Sequence, residues 1–279
     1  MQDTLKRKNK MHSAGFSKEL RAAKEAAVEA GRILMRHFRR GFAYRKKSPT
    51  DFVSEIDLKA EKKIISILSS FGYSVFSEEA GMTDNGSEYV WYVDPLDGTH
   101  NYIHGIDPFA VSIGLTRANQ SLLGVIFIPR TNELYYAVKG KGAWLNGKRV
   151  SVSSRGTDEA MVSWSSRFRV KPELKLPLLR DFSTTFEMIR FHGSSAQNFA
   201  WLASGNIDAM LTFNLPPHDM AAGFIIMKEA GARITDFAGN KTHFKGKQFL
   251  ITNRKVHQEA LKIVSKHRKK LDSLVSREV

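Results

Sequence analysis

The stretch EYVWYVDPLDGTHNY, residues 88–102, decides the fold. Its apolar run from Tyr89 to Val93, bounded by turn residues, reads as a buried strand. The strand stops on Asp94 and Asp97, three positions apart around a proline, and Gly98 and Thr99 follow. Asp, Pro and Gly all form turns, but a turn needs one aspartate, which leaves the second to be explained.

Two other acidic ends need the same explanation. YSVFSEE, residues 73–79, is a shorter buried strand that stops on Glu78 and Glu79, and HDMAAG, residues 218–223, puts Asp219 at the start of a helix running to about Ala230. Singly, acids at such places are caps. Together, Glu78, Asp94, Asp97 and Asp219 are the oxygen donors that hard divalent cations prefer, Mg²⁺ taking few carboxylates alongside waters and phosphate oxygens. A short helix opening at Asp97 and Gly98 puts N–H groups beside such ions as an anion site, and Gly98 lets backbone approach a phosphate. RFHGSSAQN, residues 190–198, is a second strand-to-helix junction. Nothing has the P-loop pattern, so nucleoside triphosphate chemistry is not indicated.

Outward from this centre, residues 17–39 place Leu20, Ala23, Ala27, Ala30, Leu34 and Phe38 on one face of a long helix. A loop leads to a second helix with Ile56, Ala60, Ile64 and Leu68 on one side. Phe109 to Trp144 reads as an antiparallel meander with turns at ANQ, RTN and GKG. Beyond it, strands and helices alternate. The expected organisation is a disordered basic arm at 1–13, an α+β metal-binding half at 14–150, and an α/β half at 151–279 that completes the site.

A chain of 279 residues buries a sizeable core as one large domain or two packed subdomains. Without cysteine there is no disulfide, thiolate metal site or cysteine nucleophile. No run approaches the roughly 18 apolar residues of a membrane span, and the N-terminus lacks the apolar core of a secretory signal, so a cytoplasmic enzyme with no membrane association is expected. The net charge of +15 sits at the ends: the first 50 residues carry 14 Lys and Arg against 4 acids, and residues 249–279 carry 8 against 3. One reading is a basic surface that recruits RNA, an acidic partner or anionic lipid. The other is a solvated arm and solvated helix faces, favoured because no aromatic residue interleaves LKRKNK or KHRKK.

VFSEE, then WYVDPLDGTHNYIHG, then PPHDMAAGFIIMKEAGARITDFAGN resembles the inositol monophosphatase family of Mg²⁺-dependent, lithium-sensitive phosphatases. KSPTDFVSEIDLKAEKKI is similar to its mobile metal-site loop and second helix, and FLITNRKVHQEALKIV to its C-terminal segment. The resemblance implies a layered αβαβα sandwich of the sugar-phosphatase type, with an antiparallel N-terminal sheet and a mixed C-terminal sheet, assembled as a homodimer. It implies that Glu78, Asp94 and the Leu96 carbonyl hold one Mg²⁺, that Asp94, Asp97 and Asp219 hold a second, and that a third binds weakly near Glu78. The implied reaction is hydrolysis of a small phosphate monoester by an activated water, without a covalent intermediate.

In that scheme Thr99 orients the water, Asp57 accepts from Thr99, and Glu78 shares in catalysis. Asp97, Gly98, Thr99, Gly193, Ser194, Ser195 and Asp219 contact the substrate. Lys47 approaches the site from the loop with Lys46 as its rival, and Glu79 stands behind the ligands. His218 replaces a tryptophan of the animal enzymes, and Thr212 a glutamate that binds inositol hydroxyls. The substrate thus stays open among inositol 1-phosphate-like polyol or sugar phosphates, histidinol phosphate, fructose 1,6-bisphosphate, NADP and adenosine 3′,5′-bisphosphate. The rival of another class is a protein that binds RNA or a transcription complex through its basic termini. Asn214 is a partial substitute for the missing glutamate, His100 and His104 line the entrance, and Trp91, Trp144, Trp164 and Trp201 are assigned to the core.

Overall fold

Helical spacing of small and apolar side chains sets the first two helices. Helix α1 (Ser17–His37) buries Ala23, Ala27, Ala30 and Leu34, and α2 (Glu55–Leu68) buries Ile56, Ala60, Ile64 and Leu68. The computed structural model describes residues 15–48, 51–165 and 171–275, so the expected arm at 1–13 lies outside the described residues. The segment between α1 and α2, read as a loop, is instead a hairpin of β1 (Tyr44–Ser48) and β2 (Asp51–Ser54). Strand β1 is exposed along its whole length, so no apolar alternation marks it in the sequence.

The next strands are β3 (Ser74–Ser77), β4 (Gly81–Thr83), β5 (Tyr89–Asp97), β6 (Ala110–Arg117), β7 (Gln120–Ile128), β8 (Glu133–Val138), β9 (Ala143–Leu145) and β10 (Lys148–Val150). They form one eight-stranded sheet in the order β10-β9-β8-β7-β6-β5-β3-β4. The meander from β6 onward is antiparallel. Within this otherwise antiparallel sheet β3 runs parallel to β5, with Ser77 opposite Val93. Both strands therefore end at the same edge, which is what brings their terminal acids together.

The second sheet contains β11 (Met161–Ser165), β12 (Met188–Arg190), β13 (Ala209–Phe213), β14 (Arg233–Thr235) and β15 (Gln248–Thr252), ordered β12-β11-β13-β15-β14. It is mixed: β12, β11 and β13 are parallel, while β15 is antiparallel to β13 and β14. The remaining helices are α3 (Thr99–Ile103), α4 (Pro172–Ser183), α5 (Ser195–Ala203), α6 (Pro217–Glu229) and α7 (His257–Val275). Helices α1 and α2 cover the first sheet, α5 and α6 lie between the sheets, and α4 and α7 cover the second. Apolar clusters fill each interface, giving the αβαβα layering. Among the described residues no helix is long and apolar enough to cross a membrane.

Helix α6 is seated close to the first sheet because Gly114 and Gly124 face each other across β6 and β7. A Cβ on Gly114 would stand 2.7 Å from the Ala222 nitrogen and 2.8 Å from the Ala221 carbonyl carbon. That seat fixes where Asp219, at the start of α6, meets the strand ends. Gly114→Ala is expected to lower stability by about 1–3 kcal/mol through overpacking, measured as a lower urea midpoint.

At the opposite end of the second sheet, His257 is fully buried at the start of α7, with Nδ1 2.8 Å from Thr252 Oγ1. Burial, then the Arg233 charge, lower its pKa to about 4, and a helix N-terminus also disfavours imidazolium. The folded protein holds this ring neutral, so its stability is complete above the unfolded pKa of about 6.5 and declines as pH falls through 4. His257→Gln is expected to flatten the loss of denaturation midpoint between pH 6.5 and 4.

Candidate active site

Asp94 and Asp97 differ by an odd number of positions, so a regular strand would point them to opposite faces. Strand β5 avoids this with a bulge. Asp94 pairs with Ser112 and Asp97 with Ala110, so two residues of β5, Pro95 and Leu96, stand opposite one of β6. Proline has no N–H for the ladder and suits such a place. The Leu96 N–H donates to Asp94 Oδ1 at 2.9 Å, which closes the turn.

Glu78 follows β3 and is tied to β5 by its own N–H donating to the Val93 oxygen at 3.1 Å. Asp219 enters from the first turn of α6, behind Pro217 at the helix start. The four acids share one buried field. Burial, then Asp219, raises the pKa of Glu78 against the pull of Lys47 and His218. Burial, then Glu78, Asp219 and Asp97, pushes Asp94 well above the usual carboxylate range, and its hydrogen bond with Glu78 adds to the rise. Burial, then Asp219, pushes Asp97 up to about 7 despite hydrogen bonds from Ser194, Ala196 and Ser195.

Asp97 is also where the two halves of the chain meet. It accepts from the Ser194 hydroxyl, from Ser195 N–H at 3.2 Å and from Ala196 N–H at 2.8 Å. Asn101 holds the same turn from α3, donating to the carbonyls of Pro108 at 2.7 Å and His192 at 2.8 Å. Gly98 has φ +92°, and a Cβ there would lie 2.8 Å from the Pro108 oxygen and 3.3 Å from Ser194 Cβ. Gly193, at φ +77°, leaves room for the Asn101 amide. A side chain at either glycine would separate Asp97 from residues 193–195.

Thr99 Oγ1 donates to the Leu96 oxygen at 3.0 Å and lies 3.4 Å from Asp57 Oδ1. Asp57 has a second partner, because Ser54 and Asp57 form a capping box at the start of α2, with Ser54 N–H donating to Oδ2 at 2.9 Å. Burial pushes Asp57 up to about 6 against the Ser54 hydrogen bonds. A serine three residues before an acid is the signal by which that box is readable in the sequence.

Lys47 donates to Glu79 at 2.6 Å and Glu78 at 3.2 Å. Burial disfavours its charge, but its hydrogen bond to Glu79 and the charges of both glutamates more than offset this and raise its pKa. Lys46 turns away, over the Phe52 ring at 5.9 Å. His218 stacks on Phe76 and places Nε2 3.1 Å from Asp219 Oδ1. Thr212 is fully buried within β13, and its hydroxyl has no partner among the described residues. His100 and His104 are exposed on α3 and just after it, their rings parallel 6.4 Å apart. Trp91 and Trp164 are core, whereas Trp144 and Trp201 are only half-buried.

Among the described residues no three His, Asp or Glu side chains are gathered closely enough to hold an ion as they stand. Glu78 bonds Lys47 and Asp94, and Asp97 faces α5. The donor chemistry nonetheless fits a hard divalent cation: four carboxylates and the Leu96 carbonyl, with burial and then the neighbouring acids raising the pKa of Glu78, Asp94 and Asp97.

The sequence model of the inositol monophosphatase family matches residues 17–269. The chain is 33% identical over 90% of its length to a fructose-1,6-bisphosphatase/inositol-1-monophosphatase of Aquifex aeolicus, covering 97% of that protein. It is 32% identical over 89% of its length to the Nus factor SuhB of Pseudomonas aeruginosa, covering 96% of it. Among solved structures, the extragenic suppressor protein suhB of Bartonella henselae superposes with a TM-score of 0.86 at 33% identity, over 90% of this chain and 99% of that one.

Proposed function

The chain belongs to the inositol monophosphatase family and is a phosphoric monoester hydrolase, and from that premise we propose that it hydrolyses a small polyol or sugar phosphate with Mg²⁺ held at the carboxylate cluster. The observation that carries this reading is that the parallel strands β3 and β5 end together on Glu78, Asp94 and Asp97, with Asp219 of α6 near enough to repel all three. Divalent cations offset that repulsion. Glu78, Asp94 and the Leu96 carbonyl form one ligand set, and Asp94, Asp97 and Asp219 the other, for two or three ions per site. When bound, Mg²⁺ supplies charge on the phosphoryl oxygens and a more acidic water.

The chain's own groups position the reactants. Thr99 has one hydroxyl proton, engaged with Leu96 or Asp57, so its lone pairs are left to accept from the attacking water. Water as nucleophile makes a covalent phosphoenzyme unnecessary. The Gly98 and Thr99 N–H groups bind the phosphate, and the turn at Gly193, Ser194 and Ser195 bounds the leaving group. Lys47 neutralises Glu78 and Glu79 and gives way to the ion. Thr212, neutral and buried, brings no carboxylate to the leaving group, which favours a substrate range wider than inositol phosphate. A homodimer belongs to the same reading, favoured by exposed Met188 and Phe191 at the β12 edge of the second sheet.

Phosphate release from inositol 1-phosphate, 2-phosphoglycerol, fructose 1,6-bisphosphate, histidinol phosphate, NADP and adenosine 3′,5′-bisphosphate, with Mg²⁺ and with chelator, tests the proposal. Polyol and sugar phosphates are expected to turn over fastest and only with Mg²⁺. Preferred hydrolysis of either nucleotide, or full activity in chelator, would overturn it.

A second reading, contact with RNA or a transcription complex, is favoured by one relative's name and by one surface. Arg39 and Arg40 on one side and Arg45 and Lys46 on the other flank Phe42 and Tyr44, and the rings of Phe42, Tyr44, Phe52 and His100 follow one another at 6.5, 5.9 and 4.7 Å. Cations beside a row of rings suit single-stranded nucleic acid. This surface lies on and before the β1–β2 hairpin, away from the basic termini where such contact is expected from the sequence. On this reading, salt-sensitive RNA retention survives Asp97→Asn and is lost when Tyr44→Ala is combined with Arg39→Glu and Arg40→Glu. Loss only on deleting residues 1–13 and the C-terminal basic end would return the contact to the termini.

A further inference from the structure

We propose that Glu61 is a positioning residue for the ion site, holding the segment that carries Glu78 in register with β5 and thereby setting the affinity for Mg²⁺. The proposal rests on the reading that Glu78 and Asp94 help hold a divalent cation. Glu61 is 5% exposed on the inner face of α2. A buried carboxylate is costly unless hydrogen-bonded, and its partners all come from one place. Its Oε1 accepts from the Ser77 hydroxyl, from Glu79 N–H at 3.1 Å and from Ala80 N–H at 3.1 Å. These donors bracket Glu78 on both sides. The remaining backbone donor of the segment, Glu78 N–H, is tied to β5 through Val93.

Among the described residues no Lys, Arg or His forms an ion pair with Glu61, so its charge is met by the turn that presents Glu78. Asp57 stands one helical turn earlier on the same helix and reaches Thr99. Residues four apart share a helix face, so α2 offers two carboxylates side by side. One orients the hydroxyl at the start of α3, and the other fixes the acid at the end of β3. The helix thus sets the spacing between the water-orienting group and a ligand of the ion. Loss of Glu61 frees the Ser77–Ala80 turn and lets Glu78 drift from Asp94. Partners that orient a metal ligand typically alter affinity by about 10–100-fold when removed.

Calorimetric Mg²⁺ titration of the full chain, with the Mg²⁺-induced rise in melting temperature as a second readout, tests this. Glu61→Gln keeps the volume but loses the charge, and is expected to raise the Mg²⁺ dissociation constant at least about tenfold and to shrink the thermal shift. Glu61→Asp keeps the charge but withdraws it by one methylene, and is expected to give an intermediate constant, which secures the test if Glu61→Gln does not fold. Ile64→Ala, a truncation in the apolar cluster on the same helix that removes no hydrogen bond to the turn, is expected to lower stability while changing Mg²⁺ affinity less than about twofold. Wild-type affinity in folded Glu61→Gln or Glu61→Asp overturns the proposal, as does equal weakening in Ile64→Ala. Absence of Mg²⁺ binding in the wild type removes the ion-site reading itself, so the two failures are distinguishable.

Discussion

Asp97→Asn is expected to lower turnover of a phosphate monoester by about 10²–10³-fold, the scale on which loss of a preorganised electrostatic contact acts, while leaving the protein folded. The fold tolerates the change because the donors at Asp97 need only acceptors. Ser194 Oγ, Ser195 N–H and Ala196 N–H all point at it, and the amide oxygen of asparagine still serves Ala196. Its new N–H₂ group takes the place of Oδ1, so only the longer bond from Ser195 N–H, 3.2 Å in the wild type, is given up. The stability of the chelated protein follows from the proton balance. Asp97 binds its proton more tightly when folded, with a pKa pushed up to about 7 against about 3.9 unfolded. The stability this contributes is complete below the unfolded value and is lost as pH rises through 7. Asp97→Asn should therefore flatten that decline and leave the metal-free protein at pH 8 at least as stable as wild type. Phosphate release and urea denaturation in chelator measure the two halves. Normal turnover in the variant would remove Asp97 from the ligand set, and collapse of the fold would assign it to structure.

Apolar periodicity carries the layers. Ala23, Ala27, Ala30 and Leu34 predict α1, and Ile56, Ala60, Ile64 and Leu68 predict α2, because each of those faces is buried. The strand ends on which the candidate acids stand are readable too, from apolar runs that stop before Glu78 and Asp94. What escapes the sequence is geometry set between elements. Alternation alone sends Asp94 and Asp97 to opposite faces, and only the unequal pairing of β5 with β6 turns them together. Strand β1 carries no alternation because both its faces are exposed. Glu61 looks like one more charge on an amphipathic helix until the Ser77–Ala80 turn closes on it. Thr212 shows the limit from the other side: resemblance places it at the leaving group, while its burial in β13 leaves it as a residue of the sheet.

Thr99→Val is expected to reduce kcat by about 10²–10⁴-fold, the range for a group that assists proton movement at the reacting atom, with KM changed little. Valine keeps the branched shape at the first position of α3 and removes the hydroxyl alone, so the Leu96 carbonyl and Asp57 lose the one donor they share. Asp57→Asn is the companion. Its carboxylate is shared between Ser54 and Thr99, and the amide that replaces it presents an N–H to one of them, which misorients the hydroxyl or loosens the capping box. Two residues that act as one unit give non-additive losses, so Thr99→Val in the Asp57→Asn background should cost far less than in the wild type. Thr99→Ser restores the hydroxyl and should return most of kcat. Mg²⁺ binding is the readout that separates orientation from ligand loss: it should stay within about threefold in Thr99→Val, since the Leu96 carbonyl remains. Additive losses in the double variant would make Asp57 a helix cap with no part in orienting the water. A large fall in Mg²⁺ affinity would instead move Thr99 from the water to the ion.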